Sequence, residues 1–236
     1  MSDMSDRTAI LLGQEGIDKL RRSSVVLVGC GAVGGYALEG LVRAGVGRIM
    51  VYDHDVFNGS NLNRQILATT DSIGRVKVEV ACERARSINP DIDIEGRDVL
   101  VSEETVSDIL SGEFDIVVDA IDTIRNKAAL LRFASEKGFT VFSSMGAALH
   151  MDTQAVRVAP LMKTSVCPLA ASLRKMLRDC DTSRITAVYS VEPPVATPSE
   201  RDEHGKSVLG SLPTVPAVFG MTLANEAIKY LLGKSE

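Results

Sequence analysis

Short apolar runs and helical patterns alternate along the first 145 residues. The apolar runs predict strands at 24–29, 48–53, 92–96, 114–120 and 140–144. Between them, helical spacing predicts helices at 31–44, 73–88, 103–110 and 124–137. Asn89-Pro90 stops the second of these helices, and Gly138 caps the fourth. Stretches such as Ile116-Val117-Val118 are apolar without alternation, as expected of parallel strands covered on both faces. The alternation predicts an α/β fold, a doubly wound and mostly parallel sheet.

The remaining residues are less regular. Strands are expected at 155–159 and 185–191, and a helix starts at Pro168 and runs to about Arg178. Residues 192–213 hold four prolines and two glycines and read as a long mobile loop, either a lid or a disordered segment. A final apolar helix is expected at 216–232, ending at Gly233. With no internal repeat and no evident linker, 1–236 reads as one domain: a nucleotide-binding core over about 7–146 and an elaborated C-terminal part over 147–236.

Composition narrows the class. The opening Met1-Ser2-Asp3-Met4-Ser5-Asp6 is acidic and lacks an apolar stretch, so no secretory leader is expected. No run approaches the roughly 18 apolar residues of a membrane span. A cytoplasmic protein without membrane association is expected. The net charge of −5 gives no general affinity for nucleic acid, so such a partner needs a local basic patch. Cys30, Cys82, Cys167 and Cys180 form no Cys-x-x-Cys pair, which argues against a structural zinc site.

The chemistry starts at the first turn. Val25-Val26-Leu27-Val28 runs into Gly29-Cys30-Gly31-Ala32-Val33-Gly34, a strand–turn–helix that can hold a nucleotide phosphate at a helix N-terminus. Gly29 allows the tight turn, Gly31 lets backbone approach phosphate, and Gly34 lets the helix pack on the strand. Asp53 ends the second strand 19 residues after Gly34, where a carboxylate can accept hydrogen bonds from ribose hydroxyls. Asn61-Leu62-Asn63-Arg64-Gln65 follows, a guanidinium among amides that suits triphosphate oxygens. Lys77 adds a compact charge able to neutralise an α-phosphate under attack. The fourth strand leads into Asp119-Ala120-Ile121-Asp122. Asp122 is placed either to hold Mg²⁺ or to cap the helix that follows, with Asn126 and Lys127 one turn on facing the same site.

These marks, in this order and spacing, resemble the ubiquitin-activating-type adenylyltransferase family that includes ThiF and MoeB, over about residues 7–146. The resemblance implies a Rossmann-like fold and an ATP site. Gly29, Gly31 and Gly34 line it, Asp53 holds the ribose, and Asn61, Arg64, Gln65 and Lys77 surround the phosphates. Asp122 organises Mg²⁺, and Arg64, Lys77 and Asp122 carry the catalysis. It also implies a homodimer in which Arg7 reaches the partner's ATP. Within the family the chain is most similar to the tRNA threonylcarbamoyladenosine dehydratase branch. Arg7-Thr8 with Leu12-Gly13-Gln14-Glu15-Gly16, Pro168-Leu169-Ala170-Ala171, Val188-Tyr189-Ser190-Val191-Glu192 and Val218-Phe219-Gly220 carry that likeness. The implied reaction adenylates the carboxylate of threonylcarbamoyladenosine in tRNA and closes a five-membered ring. A cysteine desulfurase is the implied sulfur-transfer partner. The alternative within the family activates the C-terminal Gly-Gly of a sulfur-carrier protein.

Support for tRNA from the residues themselves is partial. Lys163, Arg174, Lys175, Arg178 and Arg184 outnumber Asp179 and Asp181 between 163 and 184, and Arg174 and Arg178 are four apart on one expected helix face. The same pattern fits a solvated helix face. Cys167, before Pro168, stands where a thioester-forming cysteine can lie, although ring closure needs no enzyme nucleophile. His54, His150 and His204 are scattered and suggest no catalytic base. An NAD-dependent oxidoreductase would leave Arg64, Lys77 and Asp122 without a task, and a scaffold with a decayed nucleotide site would not need them.

Overall fold

A computed structural model describes residues 4–197, 201 and 208–234. Seven strands form one sheet: β1 (Ser24–Val28), β2 (Arg48–Asp53), β3 (Asp93–Asp98), β4 (Ile116–Asp119), β5 (Val141–Ser144), β6 (Val156–Pro160) and β7 (Ile185–Ser190). Their order is β3-β2-β1-β4-β5-β7-β6. All neighbours are parallel except β6, which pairs antiparallel with β7 at one edge. The expected doubly wound, mostly parallel sheet is therefore the observed one.

The apolar strands feed two cores. Val25 and Leu27 of β1 point into one, Val26 and Val28 into the other. The first core is closed by α2 (Gly34–Ala44), α3 (Lys77–Ile88) and α7 (Thr214–Leu231), through residues such as Leu38, Val78 and Phe219. The second is closed by α4 (Val106–Ile109), α5 (Ile124–Glu136) and α6 (Pro168–Met176), through Val106, Leu130 and Leu173. The chain leaves β1 toward β2 and β3 and then returns to the other side of β1 as β4. A doubly wound sheet opens a crevice at that reversal, beyond the C-terminal ends of β1 and β4. The glycine turn and the Asp119–Asp122 segment both emerge there.

Several boundaries differ from the sequence pattern for local reasons. The helix expected from Gly31 begins at Gly34, because Gly29 has φ +94° and the turn must complete first. The helix expected from Ile73 begins at Lys77. Gly74 has φ +82° and Val76 bridges Val56, which holds that stretch out of helical geometry. The helix expected over 103–110 shrinks to four residues, because the Thr105 hydroxyl is bonded to Leu100 O and accepts from Ser102 N. An N-terminal helix, α1 (Asp6–Arg22), has no counterpart among the expected elements. Gly13, at φ +73°, breaks its period: Gly16, Ile17 and Leu20 are buried, whereas Ile10 and Leu11 are 80% and 81% exposed. Among the described residues, no helix is long and apolar enough to cross a membrane.

The segment expected to be a mobile loop or lid, 192–213, falls in part outside the described residues. Its described ends are tied to the loop after β5. Val195 N–H donates to Leu149 O, and Leu149 N–H donates to Gly210 O, both at 2.9 Å. The Glu192 carboxylate accepts from Met151 N and Asp152 N at 2.9 and 3.0 Å. Ser211 O accepts from Asn63 Nδ2, which joins this segment to the loop after β2. His150 is buried beside Glu192, its Nδ1 3.7 Å from the carboxylate. Burial holds its imidazole below the ordinary histidine range, against the opposing pull of Glu192.

A Cβ on Gly220 would lie 2.4 Å from Val33 O and 2.6 Å from Tyr36 Cβ, so α7 and α2 meet only because this residue has no side chain. Gly220→Ala is expected to cost about 2 kcal/mol in urea unfolding, and an unchanged midpoint would show that the two helices can part freely. The folded state prefers neutral His150, so the unfolded chain takes up more protons as pH falls below about 6.5. Stability is present above that pH and declines as pH drops toward the lower folded value. His150→Gln removes this share, so its urea midpoint should fall less than the wild type's between about pH 7 and about pH 5.5. Equal declines would refute the assignment.

Candidate active site

The glycine turn is held by its own backbone. Gly29 N–H donates to Tyr52 O at 2.7 Å, extending the β1–β2 pairing past the strand end. A Cβ on Gly29 would stand 2.8 Å from Ala120 O, and one on Gly34 would stand 1.8 Å from Gly29 O. Both positions are closed by the protein itself. Gly31 is different: the nearest atom to a Cβ there is Gln65 Nε2, at 3.9 Å. The space above Gly31 is open to a ligand and lies at the N-terminal end of α2, where Gly35 N–H and Ala37 N–H already donate to Gly31 O and Val33 O. Cys30 packs into the core, where burial pushes its thiol well up, which fits a small filler and not a nucleophile.

Asp53 ties this turn to the end of β2. Its Oδ2 accepts from Cys30 N at 2.6 Å and its Oδ1 accepts from Asp55 N at 2.9 Å. Asp55 in turn holds Lys77, whose Nζ lies 2.8 Å from Asp55 Oδ2 and 5.9 Å from the centre of the Phe57 ring. Lys77 is only 5% exposed, so its ammonium is fixed at the start of α3. Asp55 is not among the residues expected at the site. The signal was its position two residues past the strand end, where its side chain can turn back toward the helix start. Asp53, His54 and Asp55 bring ligand atoms within 4.8 Å of one another, but Cys30 N, Asp55 N and Lys77 already engage the carboxylates.

The loop after β2 carries the amide-rich motif. Asn61 is buried and closes a reciprocal cap, its Oδ1 accepting from Asn58 N at 3.1 Å. Arg64 is half-buried, and its Nη1 donates to Ser60 O and Asn63 Oδ1 at 2.8 and 2.9 Å. Gln65 is buried, and its Oε1 has no hydrogen-bond partner among the described residues. A buried amide oxygen without a partner is costly, and this one belongs to the residue nearest the open side of Gly31.

Asp122 stands exposed beyond β4 and accepts from Thr123 Oγ1 at 3.1 Å. It is not the helix cap: α5 starts at Ile124, and Thr123 occupies the N-cap position. Lys127, expected to face the site, turns inward. It is fully buried and its Nζ lies 2.6 Å from Asp119 Oδ2. The expected basic stripe also divides: Arg174 donates to Thr164 Oγ1, and Arg178 lies past the end of α6. Lys163, Lys175, Arg178 and Arg184 are exposed. Cys167 is 3% exposed at the N-cap of α6, so its thiol is not presented to a substrate. Arg7 is exposed in the first turn of α1, and its side chain makes no hydrogen bond among the described residues.

The ThiF family model matches residues 5–236. The chain is 32% identical to a Bacillus subtilis protein named tRNA threonylcarbamoyladenosine dehydratase, over 96% of this chain and 93% of that one. It is 34% identical to a Thermus thermophilus sulfur carrier protein adenylyltransferase, over 94% of this chain and 74% of that one. The solved structure of Escherichia coli tRNA N6-threonylcarbamoyladenosine dehydratase, TcdA, in complex with ATP superposes with a TM-score of 0.88 at 31% identity, covering 99% of this chain and 98% of that one. The glycine turn, its bracing by Asp53 and this agreement along the whole length assign the chain to the ThiF family.

Proposed function

We propose that this protein catalyses ATP-dependent dehydration of N6-threonylcarbamoyladenosine in tRNA. The observation that carries the reading is the open floor at Gly31, closed on either side by Gly29 and Gly34, where the nearest atom to an added Cβ is the Gln65 amide nitrogen, a donor, at 3.9 Å. That floor fits a nucleotide phosphate chain. The match to dehydratases over nearly the whole length of both chains supports the choice of substrate.

In this reading Gly31 backs the phosphates, Asp53 meets the ribose, and Asn61, Arg64, Gln65 and Lys77 surround the phosphate chain. Asp122 would hold Mg²⁺, together with phosphate oxygens; one exposed carboxylate suits an ion that binds through few protein ligands. When bound, Mg²⁺ supplies charge neutralisation. The substrate carboxylate attacks the α-phosphorus, the bond to pyrophosphate breaks, and an acyl-adenylate forms. The adenosine N6 nitrogen, which carries the carbamoyl carbon, then attacks the acyl carbon, loses its proton and expels AMP, closing the five-membered ring. The chain's own contribution is orientation and fixed positive charge. Lys77 is held rigidly, and Arg64 lies between two neutral acceptors, Ser60 O and Asn63 Oδ1, that a phosphate can replace.

The second copy implied by the family also finds support. Ile10 and Leu11 leave an apolar surface on the same helix as Arg7, consistent with a homodimer that shelters it and carries Arg7 to the other subunit's ATP. The exposed Lys163, Lys175, Arg178 and Arg184 supply cations for tRNA phosphates. A cysteine desulfurase partner rests on the resemblance alone. A tRNA substrate accords with a cytoplasmic protein.

Incubation with ATP, Mg²⁺ and threonylcarbamoyladenosine-containing tRNA should lower the mass of the nucleoside by one water. Pyrophosphate exchange that requires a sulfur-carrier protein instead of tRNA would overturn the reading in favour of the alternative. Arg64→Ala should reduce exchange by about 10²-fold. Gly31→Ala separates binding from folding. Its unfolding free energy in urea should match the wild type's to within about 0.5 kcal/mol, while ATP affinity falls by about tenfold or more. Unchanged ATP affinity in calorimetry would remove Gly31 from the phosphate site.

A further inference from the structure

The second core holds a buried ion pair. Asp119 and Lys127 are both 0% exposed there, among Val26, Val117, Leu130 and Leu131. A buried ion pair is poor evidence of a need for stability, because well-packed apolar residues often serve as well or better. The geometry here points to a different use. Asp119 Oδ2 accepts from Lys127 Nζ and from Ser143 Oγ, each at 2.6 Å. Its Oδ1 accepts from Ile121 N at 3.0 Å. One carboxylate thus joins the end of β4, the side of β5, the middle of the turn 120–123 and the first turn of α5.

The same turn is blocked from the opposite side. Ala120 N–H donates to Val28 O at 2.8 Å, and Ala120 O abuts Gly29 so closely that a Cβ there would stand 2.8 Å away. The turn can move neither toward the glycine loop nor away from Asp119. Asp122 is its outer tip. We propose that Lys127 is a positioning residue for Asp122: by anchoring the start of α5 to Asp119, it fixes the height and direction from which the Asp122 carboxylate meets a Mg²⁺-bound nucleotide. Lys127 itself touches neither. This rests on the proposed role of Asp122.

The test uses the full-length protein and calorimetric titration of ATP with Mg²⁺ or with EDTA. Lys127→Met leaves Asp119 uncompensated, so the neutral pair Asp119→Asn with Lys127→Met is measured beside it and serves if the single variant does not fold. The Mg²⁺ concentration that half-saturates its effect on ATP binding should rise by about tenfold or more, the scale seen when a residue that orients a metal ligand is lost. ATP affinity in EDTA should stay within about threefold, and in Lys127→Met the Ile121 amide should exchange faster. A folded variant with an unchanged Mg²⁺ requirement overturns the inference while leaving the proposed function standing. Wild-type ATP binding that is absent or indifferent to Mg²⁺ instead removes the role of Asp122, and this inference falls with it.

Discussion

Three backbone segments meet with no room for a side chain between them, and the rest of the molecule is arranged around that contact. Gly34 at the start of α2 presses on the carbonyl of Gly29, and Gly29 presses on the carbonyl of Ala120. The contact joins the end of β1, the first helix and the end of β4 at the point where the sheet reverses direction. It sets the distance between the helix N-terminus and the Asp122 turn without any ligand. The first core supports it from one side through α7, whose Gly220 admits equally close packing on Val33 and Tyr36. The second core supports it from the other through the Asp119 carboxylate. A site built this way is organised before substrate arrives, so little binding energy goes into assembling it.

Much of this was legible in the sequence because its causes are local. The run Val25–Val28 and the spacing of Gly29, Gly31 and Gly34 require only neighbours in sequence. The same holds for Asp53 at a strand end, and for Gly138, which adopts the φ of +74° expected of a residue ending a helix. The unread parts depend on partners far along the chain. Lys127 looked like a site residue because it lies one turn into a helix beside Asp122. Only the alternation along β4 and β5, which turns Asp119 and Ser143 into the second core, gives it a buried partner. Asp55 carries no mark of its own in the sequence because its role comes from Lys77, 22 residues away. The N-terminal helix carries no single stripe because Gly13 interrupts its period and two of its five large apolar residues, Ile10 and Leu11, face outward.

The two kinds of cation near the glycine turn illustrate how rigidity is distributed. Lys77 is nearly buried and bound to a carboxylate, and the face of Phe57 lies close by. Arg64 is half-buried and bonded to neutral oxygens of its own loop. Exchanging neutral acceptors for phosphate gains charge-assisted bonds, so Arg64 is poised to move to a ligand.

Lys77 needs no such exchange. An ammonium has three donors, and the contact with Asp55 uses one of them. Asp55 therefore acts as a tether that leaves donor capacity for a phosphate oxygen. It also offsets part of the lysine charge, so that a nearly buried cation is tolerated before the nucleotide arrives. Removing Asp55 would leave that cation without its partner and free to swing, whereas removing Lys77 would leave only a half-exposed carboxylate in water. The asymmetry makes the acid the more structurally consequential member of the pair, and the lysine the chemically consequential one.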